Sequence, residues 1–148
     1  MKLEICANSL TSAINAEAGE ADRIELCSEL SLGGITPSSG LIELVRERLS
    51  IDVFVLIRPR AGDFCYSEDE LNVIRKDILF CKKMGCDGVV IGVLNKNGTI
   101  NIAVMRELIA LARPMKVTFH RAFDVCSNPL EALDELIELG VDRVLTSG

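Results

Sequence analysis

The sequence predicts an α/β fold of the (β/α)8 barrel type, truncated to about six β-strands and five helices. Apolar strand-like runs alternate strictly with helical patterns. The predicted strands start about 28 residues apart on average, close to the roughly 31 expected when about 250 residues form eight units. One helix-to-strand junction also recurs three times, with a glycine, an aspartate and then a buried strand. Its glycines, Gly19, Gly85 and Gly140, are predicted to adopt the left-handed conformation that ends a helix.

The first two units begin with short strands. Residues 3–6 form the first strand, and Asn8 or Ser9 caps the helix of residues 10–18. Residues 22–27 form the second strand. After a long loop with a Gly-Gly pair, apolar residues at helical spacing predict the second helix, whose buried face contains Leu41, Ile42, Leu44, Val45 and Leu49.

The third strand, residues 51–57, leads into another long loop. Ser67 and Glu70 then form a capping box that opens the third helix, with further acidic residues in its first turn. The buried stripe of this helix contains Leu71, Ile74, Ile78, Leu79 and Cys81. Residues 87–91 follow as the fourth strand.

The last part of the chain repeats the alternation. Residues 102–112 form the fourth helix, and residues 115–120 the fifth strand. Asn128 and Pro129 open the fifth helix in the order of N-cap and first helical position, and residues 141–146 form the sixth strand. Residues 1–148 are therefore predicted to be one incomplete barrel domain.

A doubly wound open sheet is the alternative fold for six alternating strands. Glu4, Glu25 and Arg58 disfavour it, because a sheet with helices on both faces has no polar lumen for them. A barrel without two of its strands leaves the first and sixth strands unpaired at their edges. We therefore expect a truncated gene product or fragment that is less stable than a complete barrel, or that self-associates into a homo-oligomer.

Composition excludes several classes of partner. A net charge of -6, a pI of about 4.8 and the lack of a basic run argue against nucleic acid. The N-terminus lacks a secretory signal, and no apolar run approaches the length of a membrane span, so we expect a cytoplasmic protein without a membrane partner. The six cysteines should then stay reduced, and they include no CxxC pair.

Polar side chains recur with a period of two on strands that should be buried, which indicates a polar cavity. The residues expected to face it are Glu4, Cys6, Arg23, Glu25, Cys27, Thr118 and His120. The residues expected on the opposite faces, packed on helices, are Leu3, Ile5, Ile24, Leu26, Val117 and Phe119. Barrel active sites lie at the carboxyl ends of the strands, which is the layer of Cys6, Cys27, Arg58, Arg60 and His120.

Cys6 and Cys27 face inward from strands about 4.8 Å apart, close enough for both sulfurs to share one ion. Two soft thiolates suit Cu(I), whereas zinc usually takes four ligands. Each of these candidate functional residues also has a structural interpretation. Cysteine is also a small core filler, and His120 can be a hydrogen-bonded structural residue. Glu25 can join a buried ion-pair network with Arg23, Arg58 or Arg60. Asp63 and Asp124, at strand-loop junctions, can be loop caps.

Several long motifs in register together resemble the CutC family. They are the segments ADRIELC at residues 21–27, GGITPS at 33–38, IRPRAGDF at 57–64, TFHRAFD at 118–124 and RVLTSG at 143–148. The resemblance implies a cytoplasmic TIM-barrel protein of copper homeostasis, with Cys6 and Cys27 as Cu(I) ligands. Members of that family continue past the position of Gly148 with two more strands, including a glycine-rich segment that resembles a phosphate-binding loop.

Two functional classes and a structural interpretation follow. As a metal-binding protein, the chain would hold Cu(I) through Cys6 and Cys27, with His120 as a third ligand and no organic cofactor. As an enzyme, Arg58, Arg60 and Arg121 would bind a carboxylate or phosphate, beside Asp63 and Asp124, while Glu25 or His120 exchanged protons. The third interpretation is a non-catalytic barrel fragment whose charged lumen is structural.

Overall fold

The computed structural model describes residues 1–147 and contains one parallel sheet of six strands. The strands are β1 (Glu4–Ala7), β2 (Arg23–Leu26), β3 (Asp52–Leu56), β4 (Gly88–Ile91), β5 (Lys116–Phe119) and β6 (Arg143–Val144). Their order in the sheet is their order in the chain, and every neighbouring pair is parallel. The predicted alternation of strands and helices is confirmed. Gly148, the last residue of the RVLTSG motif, lies outside the described residues.

Five α-helices connect the strands, as predicted. They are α1 (Leu10–Ala18), α2 (Ser39–Arg48), α3 (Glu68–Lys83), α4 (Ile102–Ala112) and α5 (Pro129–Leu139). Two short 3-10 helices, Leu30–Leu32 and Arg121–Val125, also form inside segments that were predicted as loops. Among the described residues, no helix is both long and apolar enough to cross a bilayer.

Helix starts follow the predicted caps. Ser67 and Glu70 form the full capping box of α3, and Asn128 caps α5 with Pro129 in the first turn. Of the two candidate caps for α1, the structure selects Ser9, which exchanges hydrogen bonds of 3.0–3.1 Å with Ser12. These contacts satisfy amide groups that have no partner inside the helix.

The sheet separates two apolar layers. The larger core lies between the sheet and the helices and contains Ile24, Leu26, Val117 and Phe119, as predicted. A smaller cluster lies on the inner face and contains Cys27, Phe54, Leu56 and Val90. Residues of one strand alternate between the two layers, so that one side chain faces the helices and the next faces the inner chamber on the other side of the sheet.

Some apolar residues were predicted to be buried and are not. Leu3 and Ile5 are 49% and 37% exposed, because β1 is an edge strand whose outer face is incompletely covered by the described helices. Leu44 and Leu79 are also exposed, at 39% and 48%. Each of these two lies next to a fully buried residue, and one step along a helix turns the side chain about 100° away from the core.

Strand β6 is shorter than the predicted residues 141–146. Its ladder with β5 is limited to Arg143 and Val144, with two further backbone bonds, from the Asp142 amide to Val117 and from the Leu145 amide to Phe119. Ser147 turns away from the sheet and donates hydrogen bonds to Asp124.

The three predicted junctions share one set of hydrogen bonds. Asp22, Asp87 and Asp142 each accept, through Oδ2 and at 2.6–2.8 Å, a backbone N–H at or next to the N-terminal end of the preceding strand. Each junction also closes its helix with the paired bonds of a Schellman turn. The aspartates therefore tie the start of each new strand to the strand before it.

The first junction corrects one prediction. Gly85 and Gly140 have φ of +73° and +74°, as expected, but Gly19 has φ of -86° and Glu20 takes the left-handed position at +63°. Alignment of the junctions on their aspartates explains this, because Glu20 occupies the place of Gly85 and Gly140. The additional residue between Gly19 and Asp22 moves the turn by one position.

Replacement of Glu20 by glycine should therefore stabilise the protein by about 1 kcal/mol, since a side chain in the left-handed region is strained and glycine is not. The matched control is Gly140→Ala, which introduces the same strain and should destabilise by about the same amount. Urea unfolding at equilibrium would measure both, and a loss of stability in Glu20→Gly would contradict the interpretation.

Candidate functional site

A cavity of about 370 Å³ opens at the carboxyl ends of the strands. Its wall includes most of the polar residues predicted from the sequence, namely Cys6, Glu25, Cys27, Arg58, His120, Arg121 and Asp124. They come from β1, β2 and the segments that follow β2, β3 and β5. The parallel sheet brings them together because all its strands end at the same edge.

Arg60 and Asp63, by contrast, do not line this cavity. Arg60 forms ion pairs with Glu70 and, at 2.9 Å, with Asp63, and its guanidinium lies 5.2 Å from the centre of the Tyr66 ring. Asp63 also accepts the Cys65 amide at 3.1 Å, as a loop cap does. The pair therefore organises the loop before α3.

The two predicted metal-binding cysteines lie on adjacent strands. Cys6 is solvent-exposed and pairs in register with Glu25, while Cys27, directly after β2, is buried and its thiol lies 3.7 Å from the Ala7 carbonyl. Although part of Cys6 is exposed, the partial desolvation of its thiol, reinforced by the Glu25 carboxylate, raises the pKa of Cys6. Burial, reinforced by Cys6 and Glu25, raises the pKa of Cys27 to about 12. Both side chains are therefore protonated thiols at neutral pH.

Glu25 is buried and forms no salt bridge with any residue in the range 1–147. Burial raises its pKa to about 7, against a smaller opposing effect of Arg23. Oε2 of Glu25 has no hydrogen-bond partner among residues 1–147. The anticipated ion-pair network of Glu25 with Arg23, Arg58 or Arg60 does not form, because Arg23 pairs with Glu4 instead.

Arg58 connects the two long loops at the rim. Its guanidinium donates to the carbonyls of Leu32 and Gly34 through Nη1, at 3.1 and 2.9 Å, and to Gly62 through Nη2 at 2.8 Å. It also lies 5.0 Å from the centre of the Phe64 ring. Within the described part of the chain, Arg58 forms no salt bridge, although its side chain is buried.

His120 has one ring nitrogen engaged and one unpaired. Nδ1 accepts the Ala122 amide at 3.1 Å, whereas Nε2 is buried with no partner among the described residues. Burial and the nearby Arg58 charge lower the pKa of His120 to about 3, so the ring is neutral. Since Nδ1 is an acceptor, the hydrogen of this neutral ring must be on Nε2.

Arg121 and Asp124 pair with each other at 3.2 Å. Asp124 also accepts hydrogen bonds from the Thr146 hydroxyl at 2.6 Å and the Ser147 hydroxyl at 2.9 Å. The Thr146 hydrogen bond, followed by those of Ser147 and Arg121, lowers the pKa of Asp124 to about 2. Asp124 therefore fastens the end of the chain beyond β6 to the 3-10 helix after β5.

For three residues that shape the cavity, no individual role was predicted from the sequence. Phe64 contributes a wall, with its ring centre 4.9 Å from that of His120. Gly34 and Gly92 permit close approach, because a Cβ at Gly34 would clash with Leu56 and one at Gly92 would clash with the His120 ring. The sequence signal for Gly92 is its position directly after the fourth strand.

No group of three or more histidine, cysteine, aspartate or glutamate side chains within residues 1–147 is arranged to hold a metal ion. A zinc site with four protein ligands is therefore not offered by these residues. The soft ligands that remain in the cavity are the two thiols, and His120 Nε2 is a donor rather than a free lone pair.

Comparison with known proteins gives one consistent match. The model of the CutC family matches residues 1–148. The chain is 52% identical to a human protein named "Copper homeostasis protein cutC homolog", over 99% of this chain and 54% of that protein. It is also 52% identical to a CutC family protein of Edwardsiella ictaluri, over 100% of this chain and 59% of that protein. The chain thus spans between half and three-fifths of the length of these relatives.

Solved structures agree with the fold. A CutC protein from Streptococcus agalactiae superposes with a TM-score of 0.93 at 36% identity, covering 100% of this chain and 73% of that one. Phosphoenolpyruvate phosphomutase from Streptomyces platensis superposes with a TM-score of 0.69 at 15% identity, covering 99% of this chain and 59% of that one. At this low identity, the similarity to the phosphomutase concerns the fold alone, and it supports a truncated (β/α) barrel.

Proposed function

Because this chain belongs to the CutC family, we propose that it serves copper homeostasis in the cytoplasm by binding Cu(I) through Cys6 and Cys27. The observation that carries the proposal is the presence of two free thiols on adjacent strands in the wall of one cavity. Soft sulfur ligands select Cu(I) over harder ions. Two of them suffice for Cu(I), which tolerates low coordination numbers.

The two cysteines differ in exposure, and this difference suits transient binding of Cu(I) as a transported ion. Cys6 is accessible to solvent and can receive the ion first, and Cys27, which is buried, completes the pair. His120 is left out of the ligand set, because its Nδ1 accepts the Ala122 amide and its Nε2 carries the hydrogen. The site is therefore proposed as a two-thiolate centre.

Binding must displace both thiol protons, since thiolates are the ligands. The pKa of each thiol is raised, so protons compete with the metal throughout the physiological range. Each displaced proton makes the apparent affinity rise about tenfold per pH unit, which gives about 100-fold per unit for two.

An anaerobic Cu(I) titration with a competing chelator tests the proposal. The wild-type protein should bind one Cu(I), with an affinity that rises steeply with pH, and Cys6→Ser/Cys27→Ser should lose this binding. Cys65→Ser is the matched control, because Cys65 is a free cysteine outside the cavity wall, and it should leave binding unchanged. Unchanged copper stoichiometry in the double variant would overturn the proposal.

A further inference from the structure

Arg58 gives the cavity wall a positive charge that no salt bridge within residues 1–147 offsets. The other arginine of the wall, Arg121, pairs with Asp124 at 3.2 Å. A buried guanidinium without a counter-ion is costly, and a negatively charged ligand would relieve that cost.

Hydrogen-bond donors are also left without acceptors around this charge. Arg58 uses three of its five N–H groups on loop carbonyls. Its buried Nε makes no hydrogen bond of good geometry within residues 1–147, although the guanidinium lies near enough to the Tyr66 hydroxyl to oppose the rise that burial causes in the pKa of that group. His120 Nε2 is a second buried donor with no acceptor in the same part of the chain. Buried donors in folded proteins are normally paired, so both groups indicate a missing acceptor.

Arg58 and His120 follow strands β3 and β5, on either side of Gly92, which follows β4. Gly92 has no side chain to separate them, and Phe64 lies against both, 5.0 Å from the Arg58 guanidinium and 4.9 Å from the His120 ring. Arg58, Phe64 and His120 all line the same cavity.

From this geometry we propose that the cavity binds a small oxyanion, the carboxylate or phosphate group of a metabolite, between Arg58 and His120. The guanidinium supplies the charge, and the neutral imidazole donates through Nε2 to a ligand oxygen. Oxygen anions suit both donors, since charge-assisted hydrogen bonds to carboxylate and phosphate are the strong ones. The site does not need Cys6 or Cys27, so it is independent of the proposed copper binding.

The imidazole of His120 provides a direct reporter, because it is the single histidine of the chain. Copper-free, 15N-labelled protein would be titrated with inorganic phosphate and, separately, with malonate, at constant ionic strength set with chloride. We expect a saturable shift of the imidazole nitrogen signals with at least one of the two, which also distinguishes a phosphate from a carboxylate ligand. Lack of a shift with both anions at millimolar concentration would overturn the proposal.

Variants test the assigned donors. His120→Gln and Arg58→Lys should each weaken binding of the active anion by about tenfold, the loss of one charge-assisted or buried hydrogen bond. Arg60→Gln is the matched control, because this arginine lies outside the cavity wall, and it should leave the affinity unchanged. An equal loss in Arg60→Gln would reveal nonspecific charge attraction and contradict the site. If Arg58→Lys does not fold, His120→Gln and the wild-type titration decide the outcome.

Discussion

Replacement of Gly88 by alanine should destabilise the protein by about 3 kcal/mol, because the inner chamber has no room for one methyl group. A Cβ at Gly88 would lie well inside 3.0 Å of three Phe54 ring atoms. That ring cannot move aside freely. The guanidinium groups of Arg143 and Arg23 lie 4.4 and 5.2 Å from its centre, and the side chain is 1% exposed.

Gly40→Ala is the matched control for this prediction. A Cβ at Gly40 meets nothing within 4 Å, and the residue lies inside α2, so alanine should stabilise by about 0.5–1 kcal/mol through helix propensity. Urea unfolding would measure both variants. If Gly88→Ala were as stable as the wild-type protein, the tight contact between β3 and β4 inside the chamber would be wrong.

Replacement of Glu25 by glutamine should change the pH dependence of stability by about 3 kcal/mol. The pKa of Glu25 is about 7 in the folded protein against 4.5 in the unfolded chain, because the carboxyl is buried. Above pH 4.5 the unfolded state releases the proton more readily, so wild-type stability falls as the pH rises towards 7. Glutamine has no proton to lose and removes this effect.

The stability of Glu25→Gln relative to wild type should therefore increase by about 3 kcal/mol between about pH 4 and about pH 8. His120 acts in the opposite direction. Its pKa of about 3 in the folded state makes stability rise with pH up to the ordinary value of 6.5. This contribution is present in both proteins and cancels in the difference. Urea unfolding across the pH range would measure the difference in unfolding free energy between Glu25→Gln and wild type. If this difference did not change with pH, Glu25 would not be desolvated.

Side-chain alternation made much of the site predictable. A period of two on β2 placed Arg23, Glu25 and Cys27 on one face, and the strand's apolar residues occupy the other. The same reasoning placed His120 beside the cavity. Alternation is a local property of extended chain, and therefore it can be read without knowledge of tertiary contacts.

The features of the site that could not be predicted from the sequence depend on contacts between distant segments of the chain. Arg60 and Asp63 were assigned to the cavity layer by their position after β3, but Glu70, on a helix ten residues away, holds Arg60 in the loop. Ile5 alternates correctly, yet a strand at the edge of the sheet leaves it exposed. The unpaired state of Arg58 and His120 Nε2 likewise becomes visible only when every neighbouring group is located.

Each strand of the sheet lies beside its predecessor in the chain, and this order suits folding during synthesis. A ribosome adds a unit of about 28 residues in roughly one to six seconds, far longer than a helix or a strand pair needs to form. The most recently completed strand always presents free backbone groups, and the next strand to emerge is the one that uses them. Growth of the barrel can thus proceed vectorially, with the exposed edge at each stage acting as the template for the following unit.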